Sequence, residues 1–222
     1  MLEAKYKSFY DELRRGGFDR KRQITDPLRL FALGTDASFY RLIPQLIVRA
    51  TTTEEIQKIV AAATRYDVPV TFRAAGTALS GQSATDSVLV LTGKDWEGIK
   101  IDPTGEHVEV QPGIIGARVN KLLAPYGRKL GPDPASVRSA MIGGIVANNA
   151  SGMNGTDENS YKTIDSVRIV LADGTVLDTG NPASRDEFRQ THPEFLARLE
   201  EIRRRVADNE ALTARVHKKY SI

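Results

Sequence analysis

Ala74-Ala75-Gly76-Thr77-Ala78-Leu79-Ser80-Gly81-Gln82-Ser83 separates two apolar runs, Val68 to Arg73 and Val88 to Leu91, that read as strands. Glycine, hydroxyl-bearing and small residues dominate the stretch. Such a composition lets successive backbone N–H groups face one hollow and lets a diphosphate come close to the main chain. Two better-known phosphate loops are excluded. Gly76 and Gly81 have P-loop spacing, but Gln82 stands where the lysine that meets the terminal phosphates belongs. The dinucleotide fingerprint lacks a glycine, and the strand at Val88 begins too soon to leave room for the helix that follows such a turn. Two readings remain: a strand-loop-strand cradle for an anion, or a plain glycine-rich connection, since Gly, Ser and Thr also fill ordinary loops.

Upstream, Leu46 to Val48 predicts a short strand. Thr52 and Glu55 have capping-box spacing ahead of Ile56, Ile59, Val60 and Ala63, which share one helical face. With Val68 to Arg73 they form a strand-helix-strand unit, which favours parallel strands and a right-handed connection. Nearer the start, Tyr6, Phe9, Tyr10 and Leu13 predict a short amphipathic helix that stops at Gly16-Gly17, followed by an irregular arm to about Arg41.

Downstream, Ile99 and Ile101, the turn Asp102-Pro103-Thr104-Gly105, and Val108 and Val110 predict a β-hairpin. Ile115, Val119, Leu122 and Leu123 predict a helix ending near Gly127, and Ser166 to Leu171 pairs with Thr175 to Asp178 across Asp173-Gly174. From Ser184 the chain turns helical, with Ser184 and Glu187 spaced as a capping box and Phe195, Leu199, Ile202 and Val206 as a stripe. Residues Ala211 to Ile222 stay mixed in charged and apolar character, either as a chain cut inside a domain or as a last docking helix. The pattern is α+β, with mixed sheets in two lobes flanked by helices.

The chain has 222 residues, 41% of them hydrophobic, enough to bury a core without metal or disulfide staples. Its net charge of +3 divides as +3 over residues 1–41, −2 over 42–184 and +2 over 185–222. A duplex-binding face needs basic side chains at its working surface, and the slightly acidic middle argues against nucleic acid. No apolar run is long enough for a membrane span and the start is charged throughout, so a cytoplasmic location is expected by default. Without cysteine, this segment supplies no iron-sulfur ligand, redox dithiol or thiol nucleophile. No metal site is expected, because His107, His192 and His217 lack partners at ligand spacing.

A second motif follows the stiff turn Gly131-Pro132-Asp133-Pro134-Ala135-Ser136. Ser139 is placed to cap a helix whose first two turns contain Met141, Gly143 and Gly144, with Asn148, Asn149, Ser151 and Gly152 beyond. A mid-helix glycine costs about 1 kcal/mol against alanine, so the pair calls for close approach, either by another helix or by a flat ligand.

Taken in order, Pro69 to Gly81, Gly131 to Pro134, Ile142-Gly143-Gly144 with Asn148 to Gly152, and the strand and turn Val167 to Gly174 resemble the flavoproteins with the vanillyl-alcohol-oxidase type of FAD domain. The similarity is to the D-lactate, glycolate and D-2-hydroxyglutarate dehydrogenase branch. The arm Gly34 to Tyr40 is similar to that of the long members carrying an iron-sulfur region further along. The resemblance implies a two-lobed FAD domain over residues 42–182, preceded by a helix and arm at 1–41. A helical segment at 183–222 would stop short of the substrate domain.

By the same resemblance, the main chain of Arg73, Ala74, Ala75, Gly76, Thr77, Ala78, Leu79, Ser80, Gly81 and Gln82 holds the diphosphate. Pro132, Asp133, Ser136, Met141, Gly143, Gly144, Asn148, Ser151 and Gly152 line the ribityl chain and isoalloxazine, and Ile169 meets the adenine. Members with covalent flavin often use a histidine or cysteine near the loop; none occurs here, so non-covalent FAD is expected. Met141 stands where a threonine or similar residue is usual. The family places its substrate-binding cap C-terminal to this region, so no catalytic residue is assigned and the small-molecule substrate would be met outside this segment. The implied reaction is hydride transfer from a D-2-hydroxy acid to flavin, with the electron acceptor unspecified. Two alternatives are a cofactor-free interaction module and a same-fold flavoenzyme acting on sugar nucleotides or aromatic alcohols.

Overall fold

The structure is a computed structural model that describes residues 2–152 and 159–220. Ser221 and Ile222, the last residues of the expected unfinished end, lie outside the described residues. The chain divides into two compact units, Met1–Ile164 with Val170–Thr175, and Asp165–Ile169 with Val176–Ile222.

The first unit is built on a four-stranded sheet of order β1-β2-β4-β3. Its strands are β1 (Gln23–Ile24), β2 (Leu46–Arg49), β3 (Val70–Arg73) and β4 (Val88–Leu91). β2 and β3 each run parallel to β4, in register Leu46 and Val70 opposite Val88, while β1 is antiparallel to β2. Strand alternation sorts the side chains. Leu46, Val48, Val88 and Val90 join Phe9, Leu13, Ile59 and Ala63 of helices α1 (Ala4–Arg15) and α3 (Thr53–Arg65) in one core. Ile47 and Leu89 point the other way, to Ile24, Leu30 and Leu33 beside the short helix α2 (Pro27–Ala32). The stretch 17–41 is therefore not an irregular arm throughout, because it supplies an edge strand and a helix that cover the second face of the sheet.

A second core belongs to the same unit. Strands β5 (Ile99–Ile101) and β6 (Val108–Val110) form the expected antiparallel hairpin. Ile99, Ile101, Val108 and Val110 pack on Val119 and Leu123 of α4 (Gly116–Leu123) and on Ile142 and Ile145 of α5 (Ile142–Ala147). α6 (Ser160–Thr163) follows, with the Ser160 hydroxyl donating to the Ile145 and Ala150 carbonyls. Mixed helices and sheets around two cores make the α+β, two-lobed arrangement.

Several local expectations change. The third strand begins at Val70 rather than Val68. Thr52 caps α3 by accepting from the Glu55 amide, but Glu55 returns its carboxylate to the Thr51 amide and to Arg22, so only half of the capping box forms. Burial acts to raise the Glu55 pKa; hydrogen bonds from Arg22 and Thr51 outweigh it and leave the carboxyl below its usual range. Ser139 does not cap α5: Met141 holds that position with no side-chain bond, and Gly143 and Gly144 fall in the first turn.

The second unit contains α7 (Pro182–Thr191), α8 (Pro193–Ala207) and α9 (Glu210–Tyr220), and most of the sheet formed by β7 (Arg168–Val170) and β8 (Val176–Asp178). Asn181 rather than Ser184 caps α7, accepting from the Ala183 amide; the Ser184 hydroxyl accepts from the Asp178 amide instead. The stripe Phe195, Leu199, Ile202 and Val206 lies on α8 as expected, yet all four residues are exposed. Among the described residues, no helix is long and apolar enough to cross a membrane.

Candidate functional site: a loop of vacant main-chain donors

The β3–β4 connection leaves the carboxyl end of β3 and crosses to β4 without forming helix or strand. Gly76 has φ +71° and Gly81 has φ +77°, so the chain turns twice through the left-handed region that glycine adopts at no cost. Among the described residues, no backbone N–H from Ala74 to Ser83 donates to a protein acceptor. Buried main-chain groups are almost always paired. Ala74 to Ala78 are half-buried, so this continuous run of N–H groups is open to an acceptor from outside the chain, solvent or ligand.

The walls of the loop are fixed by other residues. Arg73 is only 6% exposed, and each nitrogen of its guanidinium donates to a carbonyl. Nε and Nη2 donate to Ser83 O at 3.1 and 2.6 Å, and Nη1 donates to Leu33 O and Thr35 O at 2.9 and 3.0 Å. Burial pushes its pKa below the ordinary guanidinium value, and the nearby Asp36 carboxylate opposes that shift. The Arg73 carbonyl accepts from the Thr92 amide. Arg73 thus shapes the loop, and the loop's main chain offers donors to a ligand.

The second motif meets the first. Gln82 Nε2 donates to Asn148 Oδ1 at 3.2 Å. A Cβ on Gly144 would meet only Ala74 Cβ, at 3.9 Å, and no protein acceptor among the described residues takes the Gly144 amide. Gly143 is different: its amide donates to Pro112 O, and a Cβ there would stand 2.7 Å from Pro112 Cβ. One glycine of the pair serves packing and the other keeps a surface open beside the loop.

Other expected residues are brought nearby but pair with each other. The Asp133 amide donates to Ser151 O at 2.6 Å, and Asp133 bridges Gly152, whose φ is +91° and whose Cβ would overlap Asp133 O. Pro132 is buried, the Ser136 carbonyl accepts from the Ser139 and Ala140 amides, and Met141 bridges Ile115. Ile169 belongs to β7 in the second unit and is half-exposed. His107 lies in the β5–β6 turn, His192 stacks on Phe188 and His217 lies on α9.

An open cleft of about 600 Å³ runs along the carboxyl ends of β2, β3 and β4, within the size range of small-ligand sites. Ala74, Ala75 and Gly76 line it, together with Arg29, Arg49, Arg73, Lys94 and one carboxylate, Asp36. Arg49 is paired with Asp95, and the remaining cations still outnumber Asp36, which favours an anionic ligand. Sequence patterns did not single out Arg29, Arg49 or Lys94, because only the register of the sheet and the path of the arm bring them to one place.

Flexible glycines at positive φ, vacant amides, small side chains and a cationic cleft fit a diphosphate with a flat group beside Gly144. Relatives agree. The family described as FAD binding domain matches residues 44–180. Glycolate oxidase subunit GlcD of Escherichia coli K12 is 33% identical over 149 residues, 66% of this chain and 30% of that protein. D-2-hydroxyglutarate dehydrogenase of the same organism is 31% identical over 179 residues, 78% of this chain and 17% of that protein. The chain therefore spans less than a third of the length of these relatives. Among solved structures, alkyldihydroxyacetonephosphate synthase superposes with TM-score 0.67 at 22% identity, over 83% of this chain and 38% of that one. 4-Ethylphenol oxidase from Gulosibacter chungangensis gives 0.67 at 21%, over 82% and 37%. With motif order, fold and relatives in agreement, the chain belongs to the FAD binding domain family of the vanillyl-alcohol-oxidase type, with FAD as its cofactor.

Proposed function

We propose that this chain is the flavin-holding segment of a dehydrogenase that oxidises a D-2-hydroxy acid of the lactate, glycolate or 2-hydroxyglutarate kind. The observation that carries the reading is the run of vacant amides from Ala74 to Ser83. These donors hold the diphosphate, chiefly through the main chain, as preorganised N–H groups do for anions elsewhere. Gly144 gives the isoalloxazine a close backbone surface, and Asn148 steadies Gln82 at the loop's end. FAD is held without a covalent bond, since neither histidine nor cysteine occurs in the loop. Residues 42–182 form the FAD-binding domain, 1–41 its helix and arm, and 183–222 lead toward a substrate-binding part.

When bound, flavin supplies a two-electron acceptor; the protein's part is to place it and tune its surroundings. The names of the relatives support the substrate class.

Two measurements test this. FAD added to the purified protein should bind with perturbed flavin absorbance and quenched fluorescence; no uptake would remove the reading. In the full-length protein, anaerobic mixing with D-lactate, glycolate and D-2-hydroxyglutarate should bleach the flavin with at least one of them, and bleaching by none would remove the substrate class.

A further inference from the structure

Beside the bonds with Arg73 and Asn148, a set of contacts to the diphosphate loop comes from residues 33–40, ahead of the stretch 44–180 that matches the family. The Leu33 and Thr35 carbonyls accept from Arg73 Nη1, and the Ala37 amide donates to Gly76 O at 3.0 Å. The Asp36 carboxylate accepts from the Ser83 hydroxyl at 2.9 Å and from the Ser38 amide at 2.8 Å. Tyr40 lies against Gly81, where a Cβ would stand 2.7 Å from its Cδ2. The first glycine, the second glycine and the last residue of the loop are thus each tied to the arm.

We propose that residues 33–40 are a clasp that positions the loop, and that Asp36 and Ser83 are positioning residues for the cofactor's diphosphate. This rests on the reading of residues 74–83 as the diphosphate loop. The physical need is plain. A loop that makes no main-chain donor bonds of its own has nothing internal to hold its amides convergent, and every alternative conformer reduces affinity by its share of the population. The clasp supplies that order through loop carbonyls and the Ser83 side chain, which leaves the N–H groups vacant. A carboxylate beside an anion site would ordinarily repel the ligand. Here Asp36 sits beside the buried Arg73 guanidinium, whose charge offsets its own.

The test compares two buried serines on the same connection. Ser83 donates to Asp36, and Ser87 donates to the Pro69 carbonyl at 2.7 Å, outside the loop. Ser83→Ala and Ser87→Ala each remove one buried hydroxyl bond and should lower the melting temperature of the FAD-free protein by similar, small amounts. Only Ser83→Ala should weaken FAD and ADP, each by about tenfold in titration calorimetry. Asp36→Ala should weaken them equally, and the double variant should lose no more than either single one. If Ser83→Ala binds FAD and ADP as Ser87→Ala does, the clasp is overturned while the loop assignment stands. If the unaltered protein binds neither ligand, the loop assignment falls and takes the clasp with it.

Discussion

Two glycine-containing connections between strands solve the same backbone problem in opposite ways. In the β5–β6 turn, the Asp102 carboxylate accepts from the amides of Thr104, Glu106 and His107, and its carbonyl accepts from Gly105. One side chain satisfies nearly every donor the turn exposes. In the β3–β4 connection, among the described residues, the amides from Ala74 to Ser83 have no such partner, although Asp36 stands close by and takes the Ser83 hydroxyl instead. A turn that only reverses the chain closes on itself. A loop held from outside, with its donors left open, is built for something that arrives later.

The largest expected effect comes from filling the open loop. Gly76→Val places a β-branched side chain at φ +71°, with its Cβ 3.2 Å from Arg73 Cδ, so the loop must abandon its shape. FAD affinity should fall by about a hundredfold, the scale of 2–3 kcal/mol of backbone strain, while circular dichroism still shows a folded protein. Retained affinity would mean that the amides of the loop do not hold the ligand.

Next comes the glycine pair on α5. Gly143→Ala forces a methyl group onto Pro112 and should destabilise the FAD-free protein by about 1–3 kcal/mol in denaturant unfolding. Gly144→Ala meets only Ala74 and should leave that stability unchanged or slightly raised, yet weaken FAD binding. Equal stability losses would erase the distinction between a packing glycine and an open one.

The smallest effect belongs to the closed turn. Asp102→Ala should lower the melting temperature modestly and leave FAD affinity untouched. Desolvation acts to raise the Asp102 pKa, but hydrogen bonds from Thr104, His107, Gly105 and Glu106 outweigh it and hold the carboxyl below the usual range. The group's contribution is therefore present above the ordinary aspartate pKa and is lost as pH falls through the lower folded value. Melting curves of the variant and the unaltered protein should differ at neutral pH and converge in strong acid.

Much of this was legible in the chain. The strands around the loop, the β5–β6 hairpin and the α3 face followed from length, period and turn chemistry, because Val88 to Leu91 is a short apolar run bounded by loop residues and Ile56 to Ala63 is apolar at helical spacing. Caps were less legible. Thr52 and Glu55 have the right spacing, but Arg22, distant in sequence, redirects the Glu55 carboxylate. Ser139 has the right chemistry for a cap, but Pro112 and Ile114 take the first amides of α5 and set its start at Ile142. The arm held one overlooked local signal: Asp36 two residues before Ser38 makes a turn through its own carboxylate. Nothing local announces its second bond, to Ser83.

By itself, the sequence determined where the main chain is free to turn and where no side chain blocks an anion, since those properties belong to Gly76, Gly81 and their small neighbours. Only the tertiary structure decided which donors stay without a protein acceptor and which residues brace the loop. Vacancy depends on every acceptor within reach, and the residues that hold this loop, Arg73 apart, lie about forty positions earlier in the chain or, for Asn148, 66 positions later than Gln82.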